Sequence, residues 1–165
     1  MTLEFVDGDI FDTSAHGMVN PINSALQCSA GLALDVLLRY PDHYQSLYSL
    51  KRLEPGHIHW TDQLLDGYKF TIVDIPTKEK PRDKSSPELI QAGLETLIHY
   101  FPSLGMESIA IPALGCGLGR NNWKEMKPFL ERVLAPLTAD YTVFIYMPQP
   151  TISIWGGNVQ GVLTK

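Results

Sequence analysis

The run Ser108-Ile-Ala-Ile-Pro-Ala-Leu-Gly-Cys-Gly-Leu-Gly119 constrains this chain more than any other segment, because an apolar stretch opens directly into glycines at 115, 117 and 119. Residues 108–111 read as a buried strand. Glycines at alternate positions let the backbone curl and turn several N–H groups inward, which suits an anion. Asn122, with Glu125 three residues on, reads as the cap of a helix beginning at Trp123. Such a helix start adds about half a positive charge. Pro128 costs a helix interior about 3 kcal/mol, which argues for a start a few residues later. A strand, a turning loop and a helix in this order belong to an open α/β sheet, whose ligands sit beyond the C-terminal strand ends.

The rest of the chain repeats the alternation. Leu3–Val6 reads as a strand ending at Asp7-Gly8-Asp9, and Met18-Val19 starts a second that runs into Asn20-Pro21-Ile22-Asn23. A helix over about 30–40 puts Leu34, Leu37 and Leu38 on one face, with Pro41 as its stop, and 42–50 suggests another. Residues 57–60 read as a strand, Asp66-Gly67 as a hairpin turn and 68–75 as its returning strand. Residues 76–86 are polar, basic and proline-punctuated, hence a loop. Ser86-Pro87 starts the clearest helix, with Leu89, Ile90, Leu94, Leu97, Ile98 and Phe101 on one face. Residues 141–147 form the last strand. The expected fold is a three-layer α/β/α sandwich around a mixed, largely parallel sheet, spanning 1–148. Residues 149–165 are left as a tail, with 151–155 an optional added edge strand.

With 165 residues, 44% of them hydrophobic and 19% charged, the chain suits one packed domain needing no metal or disulfide. Its apolar stretches are too short to span a bilayer. The acidic N-terminus does not read as a signal peptide, and two cysteines without one suggest free thiols in the cytoplasm. A net charge of −5 disfavours non-specific duplex binding, though not recognition of one nucleotide in a pocket. The basic groups Lys78, Lys80, Arg82, Lys84 and Arg120, Lys124, Lys127 read on composition alone as solvated loops.

Three loops leave strand ends: 20–32, 76–86 and 113–122. The first ends in Ser29-Ala30-Gly31 before a helix, so two glycine-type loops and two helix starts could hold a diphosphate. The dinucleotide fingerprint fails because Arg120 stands where its third glycine belongs, and no G-K-[ST] follows any glycine run. A thiolate phosphatase loop needs arginine six residues after Cys116, where Asn122 stands, so Cys116 reads as a small loop residue. His57 and His59 share a strand face but lack a third metal ligand, and no metal or cofactor is expected. His16, His43 and His99 point to nothing sharper. Asp7, Asp9 and Asp12 suit capping or ligand binding equally. Lys78, in Asp74-Ile-Pro-Thr-Lys78, lies beside Lys80, Arg82 and Lys84. Those cations would lower its pKa if it is partly buried, making it an amine nucleophile or a proton carrier.

Taken together, these segments resemble the macrodomain family, in the branch of the DNA ADP-ribosyl glycohydrolase antitoxins (DarG-like) and the terminal ADP-ribose protein glycohydrolases. Gly8-Asp9-Ile10 resembles the family's first turn, Val19-Asn20-Pro-Ile-Asn23 its V-N-x-x-N, and Gly31-Leu-Ala33 the helix start that follows. Ile75-Pro-Thr-Lys78 is similar to the branch's F-P-T-K, and 108–119 with Trp123 to its most diagnostic run. The resemblance implies that Asp9 and Ile10 bind adenine. It implies that Asn20 and Asn23 line the distal ribose pocket, with Asn23 assisting catalysis. Ser29, Ala30, Gly31 and Leu32 would contact phosphate and distal ribose. Leu114, Gly115, Cys116, Gly117, Leu118, Gly119 and Arg120 would wrap the diphosphate. Lys78 would face the anomeric carbon as the main catalytic residue, acting covalently or by proton transfer.

The implied activity is removal of ADP-ribose from a modified DNA base, thymine in single-stranded DNA. Removal from protein Glu/Asp side chains, processing of ADP-ribose-1″-phosphate or O-acyl-ADP-ribose, and non-catalytic ADP-ribose reading stay open. A toxin or other protein partner is left unspecified by the residues. Two departures stand out. The protein-directed members carry an aspartate where this chain has Gly119, and the DNA branch's Met-Gly-Lys-Gly reads Cys28-Ser-Ala-Gly31 here.

Overall fold

Strands and helices alternate as the periodicity predicts, and the layers form because each sheet face is apolar. The structure, a computed structural model, describes residues 2–117 and 119–149 and the backbone of 152–154 and 157–159. Six strands, β1 (Leu3–Val6), β2 (Gly17–Asn23), β3 (His59–Leu65), β4 (Tyr68–Lys78), β5 (Ser108–Pro112) and β6 (Thr142–Tyr146), form one sheet in the order β1-β6-β5-β2-β4-β3. All neighbours are parallel except β3, which returns antiparallel along β4 through Asp66-Gly67. Both turn residues have positive φ, as a two-residue hairpin loop requires.

Alternate residues of β2, β4, β5 and β6 point to opposite layers. Val19, Val73, Ile75, Ile109, Ile111, Val143 and Ile145 meet α3 (Pro87–Leu104) and α4 (Trp123–Thr138). Met18, Ile72 and Ala110 face the other side, with Val36 of α1 (Gly31–Arg39), and Leu47 of α2 (Pro41–Tyr48) packs on Ile22. The connection after β2 thus crosses one face and that after β5 the other. These two strands are adjacent, which is the switch point where open α/β sheets place ligands. They share one bridging pair, Met18↔Ala110.

Several boundaries differ from expectation. β3 begins at His59, so His57 lies outside it. β4 runs through Pro76, Thr77 and Lys78, three residues that the sequence assigns to a loop. Beyond Asp74 it pairs only with β2, so a proline there breaks no two-sided ladder. In α1 the buried residue is Val36, and Leu38 is exposed. Pro41 both stops α1 and opens α2.

α4 starts at Trp123 despite Pro128, because Asn122 caps Lys124 N–H and Met126, Leu130, Val133, Leu134 and Leu137 are buried. At roughly 1.5–3 kcal/mol per large apolar side chain, that burial outweighs one lost hydrogen bond. Strand Ile152–Ile154 pairs antiparallel with Gly157–Val159 as a separate two-stranded sheet, not as an edge of the six. Among the described residues no helix is long and apolar enough to cross a membrane.

Candidate functional site

A cleft of about 960 Å³ opens over the C-terminal ends of β2, β4, β5 and β6. Asp9, Ile10, Asn23, Ser29, Ala30, Gly31, Leu32, Gly115, Cys116, Gly117, Gly119 and Lys78 line it, bringing together four distant stretches that the sequence singles out. Asp9 is also the cap of a 3-10 turn (Ile10–Asp12), its carboxylate accepting Phe11 N–H at 2.9 Å. Capping and a place in the cleft therefore coexist. Asn23 holds its own turn, donating to Gln27 O at 2.8 Å and accepting Gln27 N–H at 3.1 Å.

The glycine loop is a rigid clasp. Gly115 has φ +78°, Asn121 N–H donates to Gly115 O at 2.7 Å, and Ser85 N–H donates to Gly119 O at 3.0 Å. Asn121 Nδ2 reaches Ser85 O at 2.8 Å, stitching the loop to residues 79–86. Gly119 is buried in this clasp: a Cβ there would overlap Ser85 Oγ and stand 2.7 Å from Gly115 O. At Gly117 nothing lies within 4 Å of such an atom. The N–H groups of Gly117 and Gly119 find no acceptor among the described residues, which leaves them for an anion.

The second set of anion donors differs from expectation. The first turn of α4 is capped by Asn122, and its residues do not line the cleft. α1 instead enters the wall with Ala30 at its N-cap and no side-chain cap, so its first N–H groups face the opening.

Lys78 ends β4 opposite Asn23 in register, and the Lys78 carbonyl accepts Ser24 N–H. Burial pulls its amine below the ordinary lysine range, the Arg120 guanidinium pulls it further, and Asp83 opposes both. The direction matches expectation, but the main cause is desolvation, not the Lys80, Arg82 and Lys84 neighbours. Cys116 sits in the cleft with its thiol pushed up to about 11 by burial, so it is a poor nucleophile at neutral pH.

Three residues expected at the site lie elsewhere, and Leu118 lies outside the described residues. Leu114 is fully buried in the core, in the cluster that β5 forms with α3 and α4. Arg120 is exposed at φ +66°, its Nη2 donating to Arg82 O at 3.1 Å. It holds the two loops together and does not line the cleft. Asn20 points away under the sheet, donating to Asp74 Oδ1 at 2.8 Å, with its own Oδ1 unpartnered.

Around Asp74 stands a buried polar cluster that sequence reasoning misses. Asn20, Asp74 and His59 are register neighbours across β2, β4 and β3, and His43 of α2 covers them. His59 Nδ1 lies 2.7 Å and His43 Nε2 2.8 Å from Asp74 Oδ2, the latter off the hydrogen-bond direction. Ser46 Oγ lies 2.9 Å from His59 Nε2, and Thr61 Oγ1 lies against His43 Nδ1. The cleft wall also includes Pro112 of the run 108–119, and Phe11, Tyr146 and Met147, which carry no local motif.

A sequence model of the Macro domain family matches residues 19–130. The chain belongs to this family. The DNA ADP-ribosyl glycohydrolase of Thermus aquaticus is 30% identical over 149 residues, covering 88% of this chain and 41% of that protein. The macrodomain of Mycobacterium tuberculosis DarG superposes with a TM-score of 0.82 at 26% identity, covering 89% of this chain and 98% of that one. Thermosipho africanus DarTG in complex with ADP-ribose gives 0.80 at 29% identity, covering 88% and 41%. The chain therefore spans about two fifths of the longer proteins it matches.

Proposed function

We propose that this macro domain binds ADP-ribose along the cleft and hydrolyses the bond joining its distal ribose to a modified base, thymine in single-stranded DNA. The observation that carries this is Lys78, a partly desolvated amine in the cleft wall, opposite Asn23 and across from the glycine clasp. The relatives named for DNA ADP-ribosyl glycohydrolysis and for an ADP-ribose complex support the same reading. Adenine lies at the Asp9–Ile10 end, the diphosphate between the α1 start and the glycine loop, and the distal ribose at Asn23 and Lys78.

Cleavage passes through an oxocarbenium-like state. The unprotonated amine adds to the anomeric carbon as the base leaves with the electron pair of the broken bond and takes a proton. Water then displaces the amine, releasing ADP-ribose and restoring Lys78. Removal from protein carboxylates by the route that uses an aspartate at position 119 has no support here, since a side chain at Gly119 would collide with Ser85 and Gly115. The test is release of ADP-ribose from a thymidine-linked oligonucleotide, an ADP-ribosylated glutamate peptide and ADP-ribose-1″-phosphate. Release from the oligonucleotide is expected; turnover of the peptide alone sinks the proposal.

Gly117→Glu isolates the diphosphate contact. Open space at this position lets the variant fold, while its carboxylate faces the anion site. Calorimetry is expected to show ADP-ribose affinity weakened at least tenfold, about 1.4 kcal/mol. Unchanged affinity in a folded variant removes the phosphate cradle.

Arg120→Gln tests the electrostatics. Arg120 lowers the Lys78 pKa, so its removal raises that pKa and leaves less free amine at any pH below it. The rising acid limb of the pH–kcat profile is therefore expected to move to higher pH. A stationary limb means that this amine does not set the profile.

A further inference from the structure

Lys78 is the one residue shared by two cavities. The second, about 350 Å³, is otherwise walled by Glu79, Asp83, Lys84, Ser86 and Leu89, from the loop after β4 and the first turn of α3. We infer that this side cavity is the subsite for the group that leaves: a pyrimidine base with its flanking phosphates. The inference rests on the proposed cleavage at Lys78. A bond broken at that amine has ADP-ribose on one side and the modified group on the other. With ADP-ribose filling the main cleft, the departing group needs space contiguous with the same amine.

The walls suit a neutral base on a phosphate chain. Leu89 is half-buried and offers an apolar face for a ring, held in place by its N–H bond to Ser86 Oγ. Asp83 Oδ2 accepts Lys80 N–H at 3.1 Å, which leaves its other oxygen to accept from the N–H edge of a base. Glu79 is drawn toward Arg52 at 3.4 Å.

The loop that walls this cavity carries Lys80, Arg82 and Lys84, with Arg120 held to Arg82 O, against the carboxylates of Glu79, Asp83 and Glu88, the last bonded to Ser86, in a chain whose net charge is −5. A local cationic excess on an acidic protein steers a phosphate backbone to this rim. Glu79 and Asp83 line the cavity itself, so it tolerates a neutral ring and repels a leaving glutamate or aspartate carboxylate, while the phosphates stay at the cationic rim. The cavity thus favours a nucleic acid over an acidic peptide.

Leu89→Asp tests this, with Leu89→Met as the conservative control. Against thymidine-linked ADP-ribosyl oligonucleotide, the Asp variant is expected to raise KM roughly tenfold or more with a smaller change in kcat. The affinity for free ADP-ribose stays at the wild-type value, and Leu89→Met restores KM. An unchanged KM in Leu89→Asp overturns the subsite alone. A parallel loss of ADP-ribose affinity also overturns it, by assigning the effect to structural damage. Failure of the wild type itself to release ADP-ribose from the oligonucleotide overturns the underlying cleavage reading, and the subsite with it.

Discussion

With Lys78 replaced by alanine, turnover of thymidine-linked ADP-ribosyl oligonucleotide is expected to fall roughly 10²–10⁴-fold, while free ADP-ribose still binds. The asymmetry follows from where the side chain stands. Most of the cleft wall comes from other elements: Asp9 and Ile10, the α1 start and the glycine clasp. Lys78 supplies only the amine opposite Asn23. Burial and Arg120 hold that amine below its ordinary range, which raises its free-base fraction near neutral pH. Such a shift costs a reader module charge without giving it anything, whereas a nucleophile needs it. Single-turnover release measured beside calorimetric ADP-ribose binding separates the two. Equal release by wild type and variant rules out lysine chemistry. Loss of binding in step with release makes Lys78 a ligand contact only.

Asp74→Ala carries the largest expected effect on stability. Asp74 has no exposed surface; Asn20 and His59 hydrogen-bond its carboxylate and His43 Nε2 lies 2.8 Å from it, from three different elements. Removing it leaves an amide and two imidazoles buried around a hole. Breaking a buried cluster of this kind costs about 3–5 kcal/mol, a large share of the roughly 5–15 kcal/mol that holds a domain of this size. Urea unfolding should show the midpoint move accordingly with little change in slope. A loss under about 1 kcal/mol would mean that neighbours or water replace the carboxylate with ease. The effect also bears on the site, because Asp74 lies four residues before Lys78 on the same strand and ties β4 to β2 and β3.

Local signals were legible where one segment contains its own physics. Ser86-Pro87 announces α3, Asp66-Gly67 announces the hairpin, and glycines 115, 117 and 119 announce a turn that presents backbone N–H groups. The segments carrying those signals, through their resemblance to a known family, reached the right fold, and several of their residues line one cleft. Boundaries failed where a partner strand decides them. Nothing near Pro76 says that β4 continues beside β2 for two further residues, since only the missing neighbour beyond Asp74 makes a proline tolerable. Pro128 misled for a similar reason: its local cost is visible in the chain, and the burial that offsets it is not.

From its residues alone this chain determined the alternation of strands and helices, the turning glycine loop and the lysine placed at a strand end, because each depends on neighbours within a few positions. Only the tertiary structure decided which named residues face the cleft. Asn20 and Leu114 belong to motifs yet turn inward, since strand parity and core packing outrank motif membership. Only packing, too, decided that position 119 admits no side chain, and that His43, His59 and Asp74, far apart in sequence, meet in one buried cluster. Both follow from close approach between segments distant along the chain, a distance that no local pattern encodes.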